Sequence, residues 1–258
     1  MNSDSSDYAS KKALFERVLT LYGRKPALEA LRDTNLACQT LHLAQSNRSG
    51  GIIAELTRAA GERDVPVQYH DRQALSRISK NGKQDQGVAL DVLCPHFRAL
   101  QTYLEKLPSL APQRILALDG ITNPQNLGML LRSAAAGNID AVLWSRKGNA
   151  ALGPLVIKAS AGTVYRAPLV TCDALAPGLE LLGKAGVDIC SLRADAQQNL
   201  FEYQPKGHVA YVLGNETDGV SPEVDALATT GLSIPMNNDV ESLNVAVTAS
   251  LIAFAQRL

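Results

Sequence analysis

The sequence predicts an α/β protein in which a small N-terminal α/β domain precedes a larger domain built on a mostly parallel sheet. Short apolar runs recur through the second half of the chain and end in polar residues, as buried parallel strands do. Helical patterns lie between several of these runs, which favours βα units with right-handed crossovers. A proline-containing break at Pro95–Pro112 separates the two halves.

The first half alternates between helical and extended patterns. Helices are predicted at three places: Ala13–Tyr22, Pro26–Arg32 and Ile52–Ala60. Strands are predicted at three others: Leu41–Ala44, Val65–Tyr69 and Gly87–Leu93. Pro26 follows the turn Gly23-Arg24-Lys25, so we expect it at the first helical position, where its missing N–H costs nothing. These patterns predict a disordered tail over residues 1–12, a domain over 13–94, a linker over 95–112 and a second domain over 113–258.

The second half contains five strand patterns, each short and apolar: Arg114–Asp119, Asp140–Trp144, Val187–Leu192, Val209–Gly214 and Leu232–Pro235. Phe97–Leu107 is predicted as a helix that links the two domains. The last predicted helix, Ser242–Leu258, is apolar on nearly every face. Such a helix needs cover on all sides, so it either lies at the centre of the fold or forms a subunit interface.

Composition narrows the class of protein. The 258 residues carry no net charge, yet residues 1–100 have a net of +3 (14 Lys+Arg, 11 Asp+Glu) and residues 101–258 a net of −3 (11 and 14). This split is compatible with a first half that faces RNA, and equally with scattered surface charge. The four cysteines form no C-x-x-C pair, so neither a zinc ribbon nor another metal site is expected. Without a signal-peptide core or an apolar run near ~20 residues, a cytoplasmic protein is the expectation.

Three segments place polar residues at the ends of predicted strands, where open α/β sheets collect ligands. The first contains Asn123-Pro124, an N-cap and a proline that suit a helix start. Its predicted buried stripe has four apolar members: Leu127, Leu130, Leu131 and Ala134. Arg132 lies off that stripe, on the face of Gln125 and Gly128, where the glycine leaves room for a close approach. The segment fits a reactive site and a capped helix with a solvated arginine equally well.

The second segment, Leu213–Ser221, has Gly214 at a strand end, where a glycine lets the backbone approach a ligand. An ordinary turn rich in Gly, Asn and Asp is the alternative. The third segment, Ile234–Val245, carries Asn244 in the first turn of an apolar helix. Its amide needs hydrogen-bond partners, so it is expected to face a site. The alternative is helix capping in this loop by one of three residues: Asn237, Asp239 or Ser242.

In this order and spacing, the segments closely resemble the signature motifs of the SPOUT class of methyltransferases, specifically the TrmH (SpoU) family of RNA ribose 2′-O-methyltransferases. The family motifs read N-P-x-N-x-G-x-x-x-R-S, G-x-E-x-x-G and I-P-M…E-S-L-N-V, and all three are present. Lys158-Ala-Ser-Ala-Gly162 resembles the segment between the first two. The match runs roughly from Ile115 to the C terminus. Upstream, Gly23–Leu31 and Gln86–Val88 resemble, less specifically, the substrate-binding domain of the RlmB-like branch.

The resemblance implies a C-terminal trefoil knot, a rare exception to unknotted topology. It implies that S-adenosylmethionine is held mainly through the backbone of five residues: Leu213, Gly214, Ile234, Met236 and Leu243. It also implies a catalytic group of five side chains: Arg132, Asn126, Glu216, Ser242 and Asn244. Arg132 would clamp the target phosphate or stabilise the developing alkoxide, and Glu216 would orient it. The expected reaction is methyl transfer to a ribose 2′-OH of structured RNA by a homodimer, with rRNA favoured over tRNA by analogy.

Three positions depart from the family pattern. Asn238 stands where glycine is frequent, Ala246 where serine is frequent and Asp85 where histidine is common. The first could alter the cofactor loop and the last the contacts with RNA. The alternatives are a tRNA methyltransferase and a non-catalytic RNA-binding relative. A nucleotide-dependent dehydrogenase and a P-loop enzyme are disfavoured because neither G-x-G-x-x-G after a strand nor G-x-x-x-x-G-K-S/T occurs.

Overall fold

The computed structural model describes residues 16–255 and divides the chain into two units, Met1–Pro95 and His96–Leu258. From residue 16 onward, the first unit holds four strands: β1 (Val18–Tyr22), β2 (Ala37–Ala44), β3 (Val67–His70) and β4 (Val88–Leu93). Their order in the sheet is β1-β4-β2-β3. β2 and β3 are parallel, and the other neighbours are antiparallel.

The described part of this unit also has three helices: α1 (Arg24–Arg32), α2 (Gly51–Gly61) and α3 (Arg72–Ser79). Alternate residues of β2 point to opposite faces of the sheet, so Leu41 and Leu43 lie on one face and Ala44 on the other. All three side chains are buried. Ala44 packs with Ala89 and with Leu75 of α3, which places α3 on their face of the sheet.

The predicted helix Ala13–Tyr22 is wrong over its described part. Val18–Tyr22 forms β1 because V-L-T-L-Y has the two-residue period of a half-buried strand, with Leu19 and Leu21 buried. Residues 13–15 lie outside the described residues. α1 begins at Arg24, so Pro26 is its third residue, where the N–H would still have no acceptor within the helix. The sequence did not predict α3, whereas the other elements predicted in this half are present.

Up to residue 255, the second unit holds eight strands: β5 (Arg98–Ala99), β6 (Arg114–Leu118), β7 (Ala141–Ser145), β8 (Leu169–Cys172), β9 (Asp188–Leu192), β10 (Gln198–Asn199), β11 (Val209–Leu213) and β12 (Thr230–Ser233). They follow the order β10-β12-β9-β11-β6-β7-β8-β5, and every neighbouring pair is parallel. The predicted parallel sheet is confirmed, and the five predicted strands are all present. β6, β7 and β11 are buried along their whole length, which is why they show as continuous apolar runs.

Six helices accompany this sheet in the described residues: α4 (Leu100–Lys106), α5 (Pro124–Ala136), α6 (Pro154–Ala159), α7 (Leu175–Lys184), α8 (Pro222–Asp225) and α9 (Val245–Phe254). The predicted helix Phe97–Leu107 starts too early, because Arg98 and Ala99 pair with β8 as strand β5. The predicted start of the last helix at Ser242 is also wrong, since α9 begins at Val245. Residues 256–258 lie outside the described residues.

α5 and α9 pack side by side and run in the same direction. Ser133 Oγ lies 2.8 Å from Ser250 Oγ, and a Cβ on Gly137 would lie only 2.5 Å from that of Ala253. The missing side chain of Gly137 therefore permits the close approach of the two helices. Most of the apolar surface of α9 is buried within the chain, while Val247 stays 47% exposed.

The carboxyl ends of all eight strands lie at one edge of the parallel sheet. After β6, the chain places β7 and β8 on one side, and later β9, β11 and β12 on the other. Such a reversal of strand order creates a crevice at the carboxyl edge, where ligands bind in open α/β sheets. The three polar segments follow β6, β11 and β12, so all of them lie at this edge. Within residues 16–255, no helix has both the length and the apolar composition needed to cross a bilayer.

Candidate active site

The first polar segment forms the start of α5. Asn123 is its N-cap, and its side-chain oxygen accepts from the backbone N–H groups of Gln125 at 2.8 Å and Asn126 at 3.4 Å. Pro124 follows in the first helical position, as predicted. The predicted stripe of Leu127, Leu130, Leu131 and Ala134 is fully buried. The cap thus fixes where the helix begins, and with it the direction of the Asn126 side chain.

Asn126 joins the three polar segments. Its side chain is buried at 8% exposure. Its Nδ2 donates to Oε1 of Glu216 in the second segment, and its Oδ1 accepts from Nδ2 of Asn244 in the third at 3.1 Å. Only this orientation of the amide matches a carboxylate on one side and an amide N–H on the other. We call these three side chains the Asn126 junction.

Asn244 has two roles at once. Its Oδ1 accepts from the backbone N–H of Ala246 at 2.8 Å and caps α9, while its Nδ2 reaches Asn126. The sequence predicted a site-facing Asn244 or capping by a different residue. In the structure Asn244 itself caps α9 and also contacts Asn126, and its side chain is exposed and not buried. The cap therefore couples the start of α9 to the start of α5.

The loop that carries Glu216 is held by its own polar groups. Asn215 exchanges backbone hydrogen bonds with Gly219, and its Oδ1 accepts from the N–H groups of Thr217 and Asp218 at 2.8 and 2.7 Å. Asp119, which directly follows β6, accepts from Ser221 N at 2.7 Å. The loop between β11 and α8 is therefore tied to the end of β6.

Gly214 leaves room for the backbone of this loop and not for an empty space. A Cβ at Gly214 would lie 1.9 Å from the carbonyl carbon of Gly219 and 2.2 Å from the N atom of Val220. Any side chain at this position displaces the loop backbone. The expected close approach of backbone at Gly214 is present, but the approaching group within the chain is the loop itself.

A cavity of about 830 Å³ opens at the carboxyl ends of β9, β11 and β12. Its lining includes all five residues that the family resemblance assigns to the cofactor: Leu213, Gly214, Ile234, Met236 and Leu243. Glu216 and Ser242 of the expected catalytic group also line it, whereas Asn126, Arg132 and Asn244 do not. The expected cofactor residues therefore share this cavity, and the Asn126 junction reaches it through Glu216.

The loop after β12 contains two residues with left-handed backbone. Asn238 and Asp239 both have φ 57°. Asn and Asp adopt this region more readily than other residues with a side chain. Asn238 therefore has the left-handed conformation that a glycine at this position would also adopt readily.

Arg132 stands apart from the cavity. Its side chain is exposed on α5, on the same helical face as Gln125 and Met129. Within residues 16–255, the Arg132 guanidinium forms no hydrogen bond or ion pair, and Glu216 contacts Asn126 instead. The expected pairing of Glu216 with Arg132 is not formed in this chain. Arg132 is free to reach a group that comes from outside the chain.

Gly128 serves the packing of two helices. A Cβ there would lie 2.6 Å from that of Ala159 and 2.7 Å from the carbonyl oxygen of Val156, so the glycine lets α6 pack closely on α5. The family-like segment at Lys158–Gly162 closes α6 with left-handed backbone at Ala161 and Gly162. The sequence placed Gly128 on the face of Arg132, but Gly128 is buried and Arg132 is exposed.

Sequence reasoning missed the loop after β9. Strand order places β9 between β11 and β12, so the residues that follow it line the same cavity, Arg193 and Asp195 among them. The Arg193 Nη1 donates to Oδ2 of Asp225 on α8 at 3.0 Å. The strand-end argument applied to Leu192 would have found these residues. They were missed because no glycine or family motif marks them.

The first unit has its own polar edge, where the turns after β1 and β2 meet the turn before β4. Arg24 donates from Nε to the carbonyl oxygen of Gln86 at 3.1 Å and from Nη2 to Oδ1 of Asn47 at 3.2 Å. Asn47 Nδ2 donates to the carbonyl oxygen of Gly87 at 2.7 Å. The two family-like segments of this unit thus meet at one edge of the sheet.

Asp85 supports this edge from the inside. It is 6% exposed, accepts from Ser79 Oγ at 2.8 Å and accepts from Gly87 N at 2.9 Å. Its carboxylate therefore forms its hydrogen bonds within the turn and is not exposed to a ligand. Asp85, which stands where a histidine is common in the family, therefore supports the turn from inside and makes no exposed contact.

A chain of polar side chains crosses the sheet of the first unit, with one residue from each strand. Thr20 Oγ1 donates to Asp91 Oδ1 at 2.6 Å, Asp91 Oδ2 lies 3.2 Å from His42 Nε2, and His42 Nδ1 lies 3.0 Å from His70 Nε2. Burial raises the pKa of Asp91, but hydrogen bonds from His42 and Thr20 outweigh it and hold that pKa below its ordinary value. Burial and the neighbouring His42 ring lower the pKa of His70. We call these four residues the His42 chain.

Among the described residues, no group of three or more His, Cys, Asp or Glu is arranged to hold a metal ion. The four cysteines are free thiols. Burial raises the pKa of Cys94 to about 12 and those of Cys172 and Cys190 to about 11, which keeps these thiols protonated.

Comparison with known proteins identifies the family. A model described as the SpoU rRNA Methylase family matches residues 113–254, and one described as RNA 2′-O ribose methyltransferase substrate binding matches residues 20–94. The chain belongs to the SpoU rRNA methylase family. It is 34% identical over 214 residues to the 23S rRNA (guanosine-2′-O-)-methyltransferase RlmB of Xanthomonas campestris, covering 82% of this chain and 85% of that relative. It is 33% identical over 254 residues to human mitochondrial rRNA methyltransferase 1, covering 92% and 71%.

Solved structures share the fold. A TrmH-family structure from Porphyromonas gingivalis has a TM-score of 0.61 at 26% identity and covers 95% of this chain and 92% of its own. The SpoU methyltransferase AviRb of Streptomyces viridochromogenes, solved with AdoMet, has a TM-score of 0.62 at 18% identity and covers 94% and 92%. The resemblance inferred from the three motifs is confirmed, and the chain is an RNA methyltransferase of the SpoU family.

Proposed function

We propose that the protein transfers the methyl group of S-adenosylmethionine to a ribose 2′-OH of ribosomal RNA. The observation that carries this is the Asn126 junction, which draws the three motif segments together beside the cavity at the carboxyl edge. RlmB relatives bear the name of guanosine 2′-O-methyltransferases of 23S rRNA, so a guanosine of the large-subunit rRNA is the expected target.

The cavity suits the cofactor. Its volume of about 830 Å³ lies within the ~300–1,000 Å³ usual for small-molecule sites. The cofactor would bind to the backbone of five residues that lie at or after the ends of β11 and β12 and line the cavity: Leu213, Gly214, Ile234, Met236 and Leu243. The cavity wall also carries carboxylates, which suit a ligand with a sulfonium and an ammonium group. Bound S-adenosylmethionine supplies a methyl group that is already activated.

The protein must then orient the ribose hydroxyl and stabilise charge as its proton leaves. Asn126, Ser242 and Asn244 would position the ribose or Glu216 through hydrogen bonds. Arg132 would bind the target phosphate or stabilise the developing alkoxide. A free arginine stays protonated at any ordinary pH, so electrostatic stabilisation is favoured over general-base catalysis.

The first unit would bind RNA through its polar edge. Arg24 and Lys25 begin α1 at this edge, and Arg48 and Lys83 lie in the turns after β2 and before β4. We call these four residues the basic edge. Lys25, Arg48 and Lys83 are exposed, and Asp85, the one carboxylate among residues 72–86, is buried and hydrogen-bonded. Exposed cations grouped at one edge favour a phosphate backbone.

A homodimer with a C-terminal trefoil knot completes the proposal. Met129 on α5 and Val247 on α9 are 42% and 47% exposed. They lie at the same level of the helix pair, between the contacts of Asn126 with Asn244 and of Ser133 with Ser250. An interface there would cover both and would bring Arg132, on the same face of α5, towards the partner's cavity. Sedimentation at micromolar concentration should show a dimer, and a monomer alone would contradict this part.

The experiment uses methyl-labelled S-adenosylmethionine and rRNA from cells that lack the protein. We expect one labelled 2′-O-methylguanosine in the large-subunit rRNA, located by primer extension. Label in tRNA alone would instead support a tRNA methyltransferase. Binding of rRNA without transfer would support the non-catalytic relative.

The basic edge is tested by the double variant Lys25→Gln, Arg48→Gln, with Arg32→Gln, Arg58→Gln as the matched control. The control residues lie in the last turns of α1 and α2, away from the basic edge. If Lys25 and Arg48 each contact a phosphate, the slope of log affinity against log salt falls by about 2. An equal change in the control would contradict the basic edge as the RNA-binding surface.

A further inference from the structure

Acidic side chains outnumber basic ones in the lining of the cavity. Five carboxylates contribute to the lining within the described residues: Asp195, Glu216, Asp218, Asp225 and Glu241. Arg193 is the sole Lys or Arg among the lining residues of that described part. S-adenosylmethionine, the cofactor of the proposed function, has two cationic groups and one carboxylate. The carboxylates of the cavity suit the cationic groups, and Arg193 is the group that suits the anionic one.

Arg193 is held in place from several sides. It directly follows β9, and its N–H donates to the carbonyl oxygen of Leu232 on β12 at 2.9 Å. Its side chain crosses Gly231, where a Cβ would lie 2.5 Å from Nη2. Nη1 donates to Asp225 Oδ2 at 3.0 Å, and Nε lies 3.8 Å from Asp195 Oδ1. The guanidinium is therefore fixed at the cavity wall by a glycine below it and a carboxylate on either side.

The guanidinium keeps donors for a ligand. An arginine has five N–H donors, and Asp225 uses one of them at hydrogen-bond distance. The Arg193 side chain is 42% exposed, and that of Asp195 is 85% exposed. Adjacent opposite charges of this kind match a zwitterion, with its carboxylate on the guanidinium and its ammonium on the aspartate.

We propose that Arg193 binds the α-carboxylate of the methionine part of S-adenosylmethionine, with Asp195 receiving the α-ammonium group. This inference rests on the proposed function. It adds a side-chain contact to a cofactor site that is otherwise built from backbone. The competing explanation is that Arg193 only fastens α8 to the end of β9 through Asp225.

Two ligands separate the explanations: S-adenosylhomocysteine and its decarboxylated analogue, which keeps the ammonium group. Calorimetry of the full chain should show that the first binds about 10- to 100-fold more tightly, the range of a charge-assisted contact. Arg193→Met should remove this preference by weakening S-adenosylhomocysteine alone. Arg193→Lys should keep part of the preference, because lysine retains the charge but loses the planar fork.

Asp225→Asn is the matched control. It removes the ion pair with Arg193 but keeps the arginine, so the preference for the carboxylated ligand should stay at or above that of the unaltered chain. Equal weakening of both ligands by Arg193→Met, reproduced by Asp225→Asn, would overturn the proposal in favour of the fastening role. An unaltered preference in Arg193→Met would overturn it as well. Failure of the unaltered chain to bind S-adenosylhomocysteine at all would instead contradict the proposed function.

Discussion

Asn126 and Arg132 lie on the same helix, about 9 Å apart along its axis, but they differ in burial and in hydrogen bonding. Asn126 is buried, and its amide is matched on both sides by Glu216 and Asn244. Arg132 is exposed and, within residues 16–255, has no partner. Both belong to the same sequence motif.

The difference separates two kinds of functional residue. A polar side chain that the chain itself satisfies adds to stability and positions its neighbours, so its loss affects folding and function together. A polar side chain that the chain leaves without a partner adds little to stability and is available to a substrate. A motif alone does not distinguish the two kinds, but hydrogen-bond partners and burial do.

The largest effect is expected at Arg132. Arg132→Ala should lower the methyl-transfer rate by roughly 10²–10³, the scale seen when a preorganised donor is lost. The free energy of unfolding should change by no more than about 0.5 kcal/mol, as for other surface changes. Single-turnover transfer to rRNA and urea unfolding would measure the two quantities. Arg132→Lys should recover part of the rate.

Lys184→Ala provides the control for Arg132, because it removes one exposed cation from the last turn of α7, near the amino end of β9. Its transfer rate should equal that of the unaltered enzyme. An Arg132→Ala enzyme with a near-normal rate would leave Arg132 as a solvated helix residue. The difference in burial between Asn126 and Arg132 would then correspond to no difference in function.

The sequence predicted these two residues as one group, and physical reasons explain why it went no further. Parallel strands, the Asn123 cap and the buried stripe of α5 follow from local patterns, and they are present. The pairing of Glu216 with Asn126 instead of Arg132 depends on how loops from three strands meet, which no local pattern encodes. Arg193 was missed for the same reason, since its relevance comes from the position of β9 between β11 and β12.

Helix and strand errors have a similar origin. Val18–Tyr22 carries a two-residue period that a wider helical window obscured. The two-residue strand β5 exists only because β8 lies beside it. Tertiary pairing therefore decided the elements that short sequence patterns left ambiguous.

The second effect, at Asn126, should combine stability and rate. Asn126→Ala removes the two hydrogen bonds that the buried amide makes with Glu216 and Asn244, one of them to a carboxylate, which costs about 1–3 kcal/mol in the free energy of unfolding. The rate should fall less than in Arg132→Ala, because the reacting oxygen keeps its arginine. Urea unfolding measures this free energy, with Gln125→Ala as the control. Gln125 is an exposed neighbour on α5, so its replacement reports the effect of helix propensity without loss of the junction. Equal stability of the two variants would contradict a positioning role for Asn126.

The smallest effect is expected at the His42 chain, whose four side chains are all partnered, as those of the Asn126 junction are. Because the pKa of His70 is lowered by folding, the unfolded chain binds protons more readily than the folded chain just below pH 6.5. Stability of the first unit is therefore fully present above pH 6.5 and falls with pH below it. The lowered pKa of Asp91 acts in the same direction, but only below its ordinary value of 3.8. The two contributions are thus separated in pH.

His70→Gln should flatten the pH dependence between pH 5 and 7 by about 0.2–1 kcal/mol, the range of partly exposed charge interactions. Hydrogen exchange of amides in β2 and β4 measures this for the first unit alone. His96→Gln, which removes an exposed histidine of the second unit, should leave the exchange profile of β2 and β4 unchanged. Transfer rates at pH 7 should be unaltered in both variants, because neither residue belongs to the basic edge or to the Asn126 junction. A rate loss in His70→Gln without a change in exchange would show that a fully partnered polar group can still serve the substrate, and would break the distinction drawn between Asn126 and Arg132.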